Sequence, residues 1–381
     1  MSMNFVSCTI VNTIATIILF LGLTIEVLPA QTHPNFEFSL GVDYSAAEQT
    51  LDFFDRRIGD ADRIAKLRGN QLMAATSVML ARTEKSGDDF RDQLELARNI
   101  AGFESDVYGF FPAKSHISEL RTLLNNIKKR QLDRRIVATI ASFFPEQAKI
   151  STRFSVYLVV IGNERASAFE RSVVWNYDTP TFVNDGEGEP VIVVNLARLI
   201  EGRPNEQAQF IEVLSTTAHE CFHAAFSVLQ KSLPKSTRPR NIADHLIELV
   251  QNEGFAYYLS LQTHLGGEIP VRTWFDITSK AVNKLNQVLG EMLSPNLTRA
   301  RAQELIMDAN LSGSFEGNYG ATSGLRMAYE IDKHLGRPAL TATLMSGGRS
   351  FVLAYQQACL RDGSLPQLDK RILQFIGQGT E

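Results

Sequence analysis

The run STTAHECFHAAFSVLQ, Ser215 to Gln230, constrains this chain more than any other stretch. Only seven histidines occur in 381 residues, and two of them, His219 and His223, stand four apart with Glu220 directly after the first. In an α-helix, positions i and i+4 project from one face a turn apart, so both imidazoles can aim at one point. Zinc accepts imidazole nitrogens in tetrahedral geometry, and a catalytic site keeps one position open for water. Glu220 is turned about 100° from His219, so it stands beside such an ion rather than on it. From there its carboxylate can take a proton from water, the general-base role in metal-assisted hydrolysis. Extending the histidine face along the helix gives a polar stripe of Glu212, Thr216, His219, His223 and Gln230, interrupted by Phe226. The apolar stripe of Phe210, Leu214, Cys221, Ala225 and Leu229 runs elsewhere, so the two histidines are not placed as ordinary core residues.

A zinc ion held by two imidazoles needs a third protein ligand, and LVQNEGFAYYLS supplies Glu253, 30 residues after His223 on the next predicted helix. That separation is enough for a turn and an antiparallel return. Gly254 and Ala256 thin the helix beside Glu253, which lets it approach the first helix closely. The rivals are Glu248, Asp244 and His245. Asp244 and His245 sit near the helix start, where Asp244 suits a cap. Glu248 is about 140° from Glu253 around the helix, so only one of the two can face the ion. The face of Glu253 continues through Leu246, Leu249, Val250 and Tyr257, an inward stripe on which a carboxylate needs a partner.

HECFH followed by NEGFAYY resembles the gluzincin branch of zinc metallopeptidases, whose third ligand is a glutamate followed by a small residue on the succeeding helix. More narrowly, the chain is similar to secreted bacterial proteins described as zinc-dependent peptidases, which share a later segment like NYGATSGLRMAYEIDKHLGRPAL. The resemblance covers roughly Pro190 to Tyr355. It implies a zincin-like catalytic core with a small sheet beside the HExxH helix, one zinc per chain, and a peptide or protein substrate. It also implies His219, His223 and Glu253 as metal ligands and Glu220 as the base. By the same resemblance Tyr319 is the donor to the oxyanion, with Tyr329 and His334 as alternatives.

Elsewhere the pattern is that of an α+β chain, mostly helical. Apolar residues at three- and four-residue spacing predict a helical N-terminal lobe over 40–150, broken at Pro112 and Pro145. Val- and Ile-rich runs at Arg153–Gly162 and Pro190–Ile200, with another strand between them, predict a small sheet. Helices then return from Asn205, which is placed to cap, and the Asn241-x-x-Asp244 pattern resembles a capping box. The expected organisation is a leader over 1–30, the lobe over 40–150, and a catalytic domain over 151–381. Asn184, Asp185, Glu187 and Glu189 lie in a turn-rich loop whose spacing matches no calcium site, and they read as a solvated turn.

The leader differs from everything after it. Thr9–Pro29 has an apolar centre of signal-peptide length, and Ala30 is a small residue at which cleavage would leave Gln31 first. No Lys or Arg precedes it, so an uncleaved membrane anchor is the alternative. Either reading places the body of the protein outside the cytoplasm. Of three cysteines, Cys8 goes with the leader, while Cys221 and Cys359 read as free buried thiols. The 38 basic and 42 acidic residues are spread without the concentrated basic face of a nucleic-acid binder. No nucleophile elbow, phosphate loop or dinucleotide fingerprint competes with the histidine helix. The leading function is a zinc peptidase. The alternatives are a silent scaffold that keeps the metal fold, against which an intact Glu220 argues, and a metallohydrolase of a non-peptide amide.

Overall fold

The computed structural model describes residues 36–378 apart from 57, 82–86, 103–105, 164–165, 178, 185–186, 266–271 and 312–316. The expected leader over 1–30, with Cys8 and Ala30, lies outside these residues. The chain opens with β1 (Phe36–Asp43) and the helices α1 (Ser45–Arg56), α2 (Ala61–Ala65), α3 (Arg68–Ala81) and α4 (Gly87–Asn99). It continues through α5 (Phe110–Ser115), α6 (Ile117–Lys129) and α7 (Leu132–Ala141). Four strands follow, β2 (Ile150–Val159), β3 (Ala168–Asn176), β4 (Thr179–Val183) and β5 (Glu189–Asn195), then the short α8 (Leu196–Leu199). The long α9 (Glu206–Ser232) and α10 (Ile242–Leu265) come next. The last elements are α11 (Arg272–Met292), α12 (Arg299–Leu311), α13 (Tyr319–Leu335), α14 (Arg337–Ser346), α15 (Gly348–Arg361) and α16 (Lys370–Gly377). The result is a mostly helical α+β protein with one small mixed sheet. Among the described residues no helix is long and apolar enough to cross a membrane.

The five strands run in the order β1-β2-β5-β3-β4. Central β5 is parallel to β2, with Tyr157 opposite Val193, and antiparallel to β3, with Phe169 opposite Val193. Val191–Asn195 is buried throughout, which explains why this strand reads as an unbroken apolar run rather than an alternating one. Ala46 of α1 and Leu72 and Met73 of α3 pack with Tyr157, Phe169 and Val193 in one apolar cluster. By proximity, Ser39–Val137 and Arg153–Cys221 form one compact unit, and residues 36–38, Ala138–Thr152 and the described residues from Phe222 onward form a second. Strands β3, β4 and β5 and most of β1 and β2 therefore group with the N-terminal helices, because apolar residues of α1 and α3 pack on the sheet.

Three local features differ from the sequence reading. Phe36–Asp43 is a strand, and its alternation of Phe36, Phe38, Leu40 and Val42 is the period-2 signal that announces it. The segment between β2 and β5 holds two strands rather than one, β3 and β4, paired antiparallel with Ser172 opposite Val183. Pro112 lies in the first turn of α5 instead of breaking a helix, a position where its missing N–H costs nothing.

In the second unit, α13 is buried from Tyr319 to Ala328 and again at Glu330 and Ile331, so its surroundings are protein on all sides. It crosses α10 at two glycines. A Cβ at Gly324 would stand 2.1 Å from the Val250 carbonyl oxygen, and one at Gly254 would stand 2.5 Å from the Gly324 carbonyl carbon. The thinness anticipated at Gly254 thus serves an approach to α13 rather than to α9. At the start of α10, the Asn241 side chain accepts from the Asp244 N–H at 3.0 Å, and Asp244 accepts from the Arg240 N–H at 3.0 Å. Asp244 also accepts from Arg349 Nε at 2.8 Å, so α10 and α15 share one cap.

Gly324→Ala should destabilise the fold by about 1–3 kcal/mol or more, because backbone rather than a mobile side chain must give way. Gly290→Ala in α11 meets no atom within 4 Å and should instead stabilise by roughly 0.5–1 kcal/mol. Denaturant midpoints of the two variants check this; equal midpoints would contradict the close crossing.

Candidate metal centre

Helix α9 supplies two of the groups. Asn205 caps it, its side chain accepting from the Ala208 N–H at 2.9 Å, as its position in the sequence suggests. Every residue from Glu212 to Phe222 is buried, so the polar stripe lies inside the protein along with the apolar one. The buried polar groups are accordingly partnered. Glu212 pairs with Arg203 at 2.7 Å, and burial pushes its carboxyl up to about 7 against the pull of that guanidinium. Further along the helix, His219 and Glu220 are each 5% exposed. Cys221 is buried and free, as is Cys359, and burial pushes the Cys221 thiol well up.

Helix α10 supplies the third group. Glu253 is 6% exposed, on the same inward stripe as buried Leu246 and Val250. Phe222, which stands between the two histidines, stacks on Phe255 with centroids 5.7 Å apart and planes 5° from parallel. Phe144 and Phe351 extend this aromatic stack on either side, at 5.2 Å and 5.8 Å. An apolar ladder therefore sets the spacing between the helix carrying His223 and the helix carrying Glu253.

His219, His223 and Glu253 each offer one ligand atom, and these atoms lie within 4.8 Å of one another. Of the sequence rivals, exposed His245 takes no part in this cluster. Glu248 faces away, lining a cavity of about 390 Å³ with Arg238, Arg240 and Arg349. There burial raises its carboxyl and Arg238 opposes the rise.

The donor set fits zinc. Nδ1 of His223 donates to Asn252 Oδ1 at 3.0 Å, which fixes the tautomer and presents Nε2. That Nε2 stands 3.6 Å from Glu253 Oε2. Two ligands of a tetrahedral ion with bonds of about 2.0–2.1 Å stand roughly 3.3–3.4 Å apart, so the pair needs little movement to share an ion. The other carboxylate oxygen, Oε1, accepts from Asn310 Nδ2 at 2.6 Å. Burial pushes the Glu253 carboxyl up, while His223 and Asn310 draw it down. Sequence reasoning missed both asparagines. Asn252 had a signal, being next to Glu253; Asn310 is 57 residues further on and had none.

The other candidates lie in different surroundings. The Tyr319 hydroxyl is buried and donates to the Leu305 carbonyl at 2.6 Å, and burial pushes its phenol up. To donate to an oxyanion it would first have to release Leu305. Tyr329 packs edge-on against Tyr258 and Trp274. His334 Nε2 lies 3.1 Å from fully buried Glu330.

A family model described as "Putative zinc dependent peptidase (DUF5700)" matches residues 61–364. No curated protein and no solved structure matches the chain.

His219→Ala or His223→Ala should abolish stoichiometric zinc, and Glu253→Ala should weaken it strongly, while Glu248→Ala leaves it unchanged. Metal analysis after dialysis against a weak chelator reads all four. Loss of zinc in Glu248→Ala with retention in Glu253→Ala would overturn the assignment of faces on α10.

Proposed function

We propose that the chain, which belongs to the family described as "Putative zinc dependent peptidase (DUF5700)", hydrolyses peptide bonds at the His219–His223–Glu253 centre. The observation that supports this most is the convergence of two imidazoles and one carboxylate, His219 and Glu253 buried and His223 partly so, with Glu220 adjacent in sequence to the first of them. The arrangement resembles a gluzincin site on a zincin-like core: two histidines from one helix and a glutamate from the next. One zinc per chain would be held by His219, His223 and Glu253. When bound there, zinc supplies Lewis acidity toward the attacking water and the scissile carbonyl.

The chain's own residues do the rest. Asn252 keeps the proton of His223 on Nδ1, so its Nε2 lone pair stays available. Glu220, whose side chain leaves the helix beside rather than on the histidine face, takes the proton of the attacking water on its carboxylate. It then passes that proton to the nitrogen of the departing amine. The buried surroundings strengthen each of these electrostatic interactions relative to water. The oxyanion donor is assigned to Tyr319 by resemblance, on the condition that its hydroxyl exchanges Leu305 for the substrate. The substrate is a peptide or protein met outside the cytoplasm, since the apolar Thr9–Pro29 segment directs export.

Glu220→Gln keeps the side chain's size and removes its basicity. Zinc content and thermal midpoint should match the parent, and turnover of a peptide found by library screening should fall by about 10²–10⁴-fold. Unchanged turnover with zinc retained would place the chemistry elsewhere. Loss of zinc would make Glu220 a ligand or support.

N-terminal sequencing of protein recovered from outside the cytoplasm should begin near Gln31. A retained Met1 with membrane association would replace cleavage by anchoring.

A further inference from the structure

On the reading of this site as a zinc centre, we propose that Asn310 is a positioning residue that makes Glu253 a one-oxygen ligand. The two oxygens of Glu253 have different neighbours. Oε1 accepts from Asn310 Nδ2 at 2.6 Å, whereas Oε2 lies 3.6 Å from His223 Nε2. A carboxylate left to itself can offer a metal either oxygen or both. Here the hydrogen bond draws Oε1 off and leaves Oε2 on the side of the histidine. That keeps the protein donors at three, and a fourth position stays open for water.

The chemistry of the donor matters as much as its place. An amide orients a carboxylate without neutralising it, so the full negative charge remains to offset a dication. A lysine or arginine at the same distance would compete with the metal for that charge. The amide's own state supports a role directed at Glu253. Its Oδ1 is buried and accepts from no group among the described residues, so the bond to Glu253 is the one polar contact that orients it. A leucine would fill similar space without burying an unmet acceptor. Packing alone therefore does not account for an asparagine here.

Asn310 comes from the last turn of α12, and α12 is itself held against α13. The Tyr319 hydroxyl donates to the Leu305 carbonyl at 2.6 Å, and the absent side chain of Gly320 allows Ala309 to sit close, where a Cβ would stand 2.9 Å from the alanine's. The position of Glu253 Oε2 thus depends on α12 docking, through one side chain.

The test uses the full chain, metal-free and then loaded with zinc or with cobalt alone. Asn310→Asp keeps the shape but, once ionised, has no proton to donate. Asn310→Leu keeps the bulk and removes the polarity, and Asn310→Ala only opens space at a half-buried position. Each should weaken zinc, measured by competition with a chelator, by about 10–100-fold. The visible bands of the cobalt form should lose intensity as Glu253 gains a second contact to the metal. The cobalt bands separate positioning from structural support, because a fold that is merely loosened loses metal without changing the bands of the metal it keeps. Zinc affinity within about twofold of the parent and unchanged cobalt bands would overturn the role of Asn310 while leaving the zinc centre standing. Failure of the parent itself to take up one zinc or cobalt per chain would overturn the zinc centre and this inference with it.

Discussion

A carboxylate buried between apolar helices is costly unless it is partnered, and Glu253 is the place where that constraint shapes this protein. Its partners come from distant parts of the second unit: His223 from α9 and Asn310 from α12. Neither is a full counter-charge. An amide orients a buried carboxylate without neutralising it, and a dication is the kind of partner that would offset the cost of burying the charge.

Rigidity around that charge follows from two devices. The first is the aromatic ladder of Phe144, Phe222, Phe255 and Phe351, which fixes the spacing of α9 and α10. The second is the crossing of α10 and α13 at Gly254 and Gly324, where backbone meets backbone. Gly254 follows Glu253 directly, and Phe255 follows Gly254. Three consecutive residues thus carry the ligand, the close contact and the stack, so their roles are divided by helix face: one inward to the metal, one onto α13, one onto Phe222. A site held in this way can present its donors with little rearrangement, as preorganised catalysis requires.

What could be read from the sequence was whatever depends on local period. The i, i+4 histidines, the caps at Asn205 and Asn241, and the choice of Glu253 over Glu248 all follow from helical geometry. The return of helices after Asn205 and the Val/Ile strands follow from apolar spacing. What could not be read depends on partners far along the chain. Asn310 reaches Glu253 across 57 residues, and the helix that meets Gly254 is α13, which no local pattern identifies. Tyr319 was legible as a tyrosine near a glycine, but its acceptor Leu305 was not. β1 is a different case: its alternation was present in Phe36, Phe38, Leu40 and Val42.

The central claim is that one zinc sits on two imidazoles and one carboxylate oxygen. X-ray absorption at the zinc edge of the purified, loaded protein tests it most directly, because it reads ligand type and number without a substrate. The account predicts four light-atom ligands at about 2.0–2.1 Å, with the outer-shell scattering of two imidazoles and no sulfur. A sulfur ligand, which would have to come from a cysteine such as buried Cys221, would contradict it, as would a first shell with one imidazole or none.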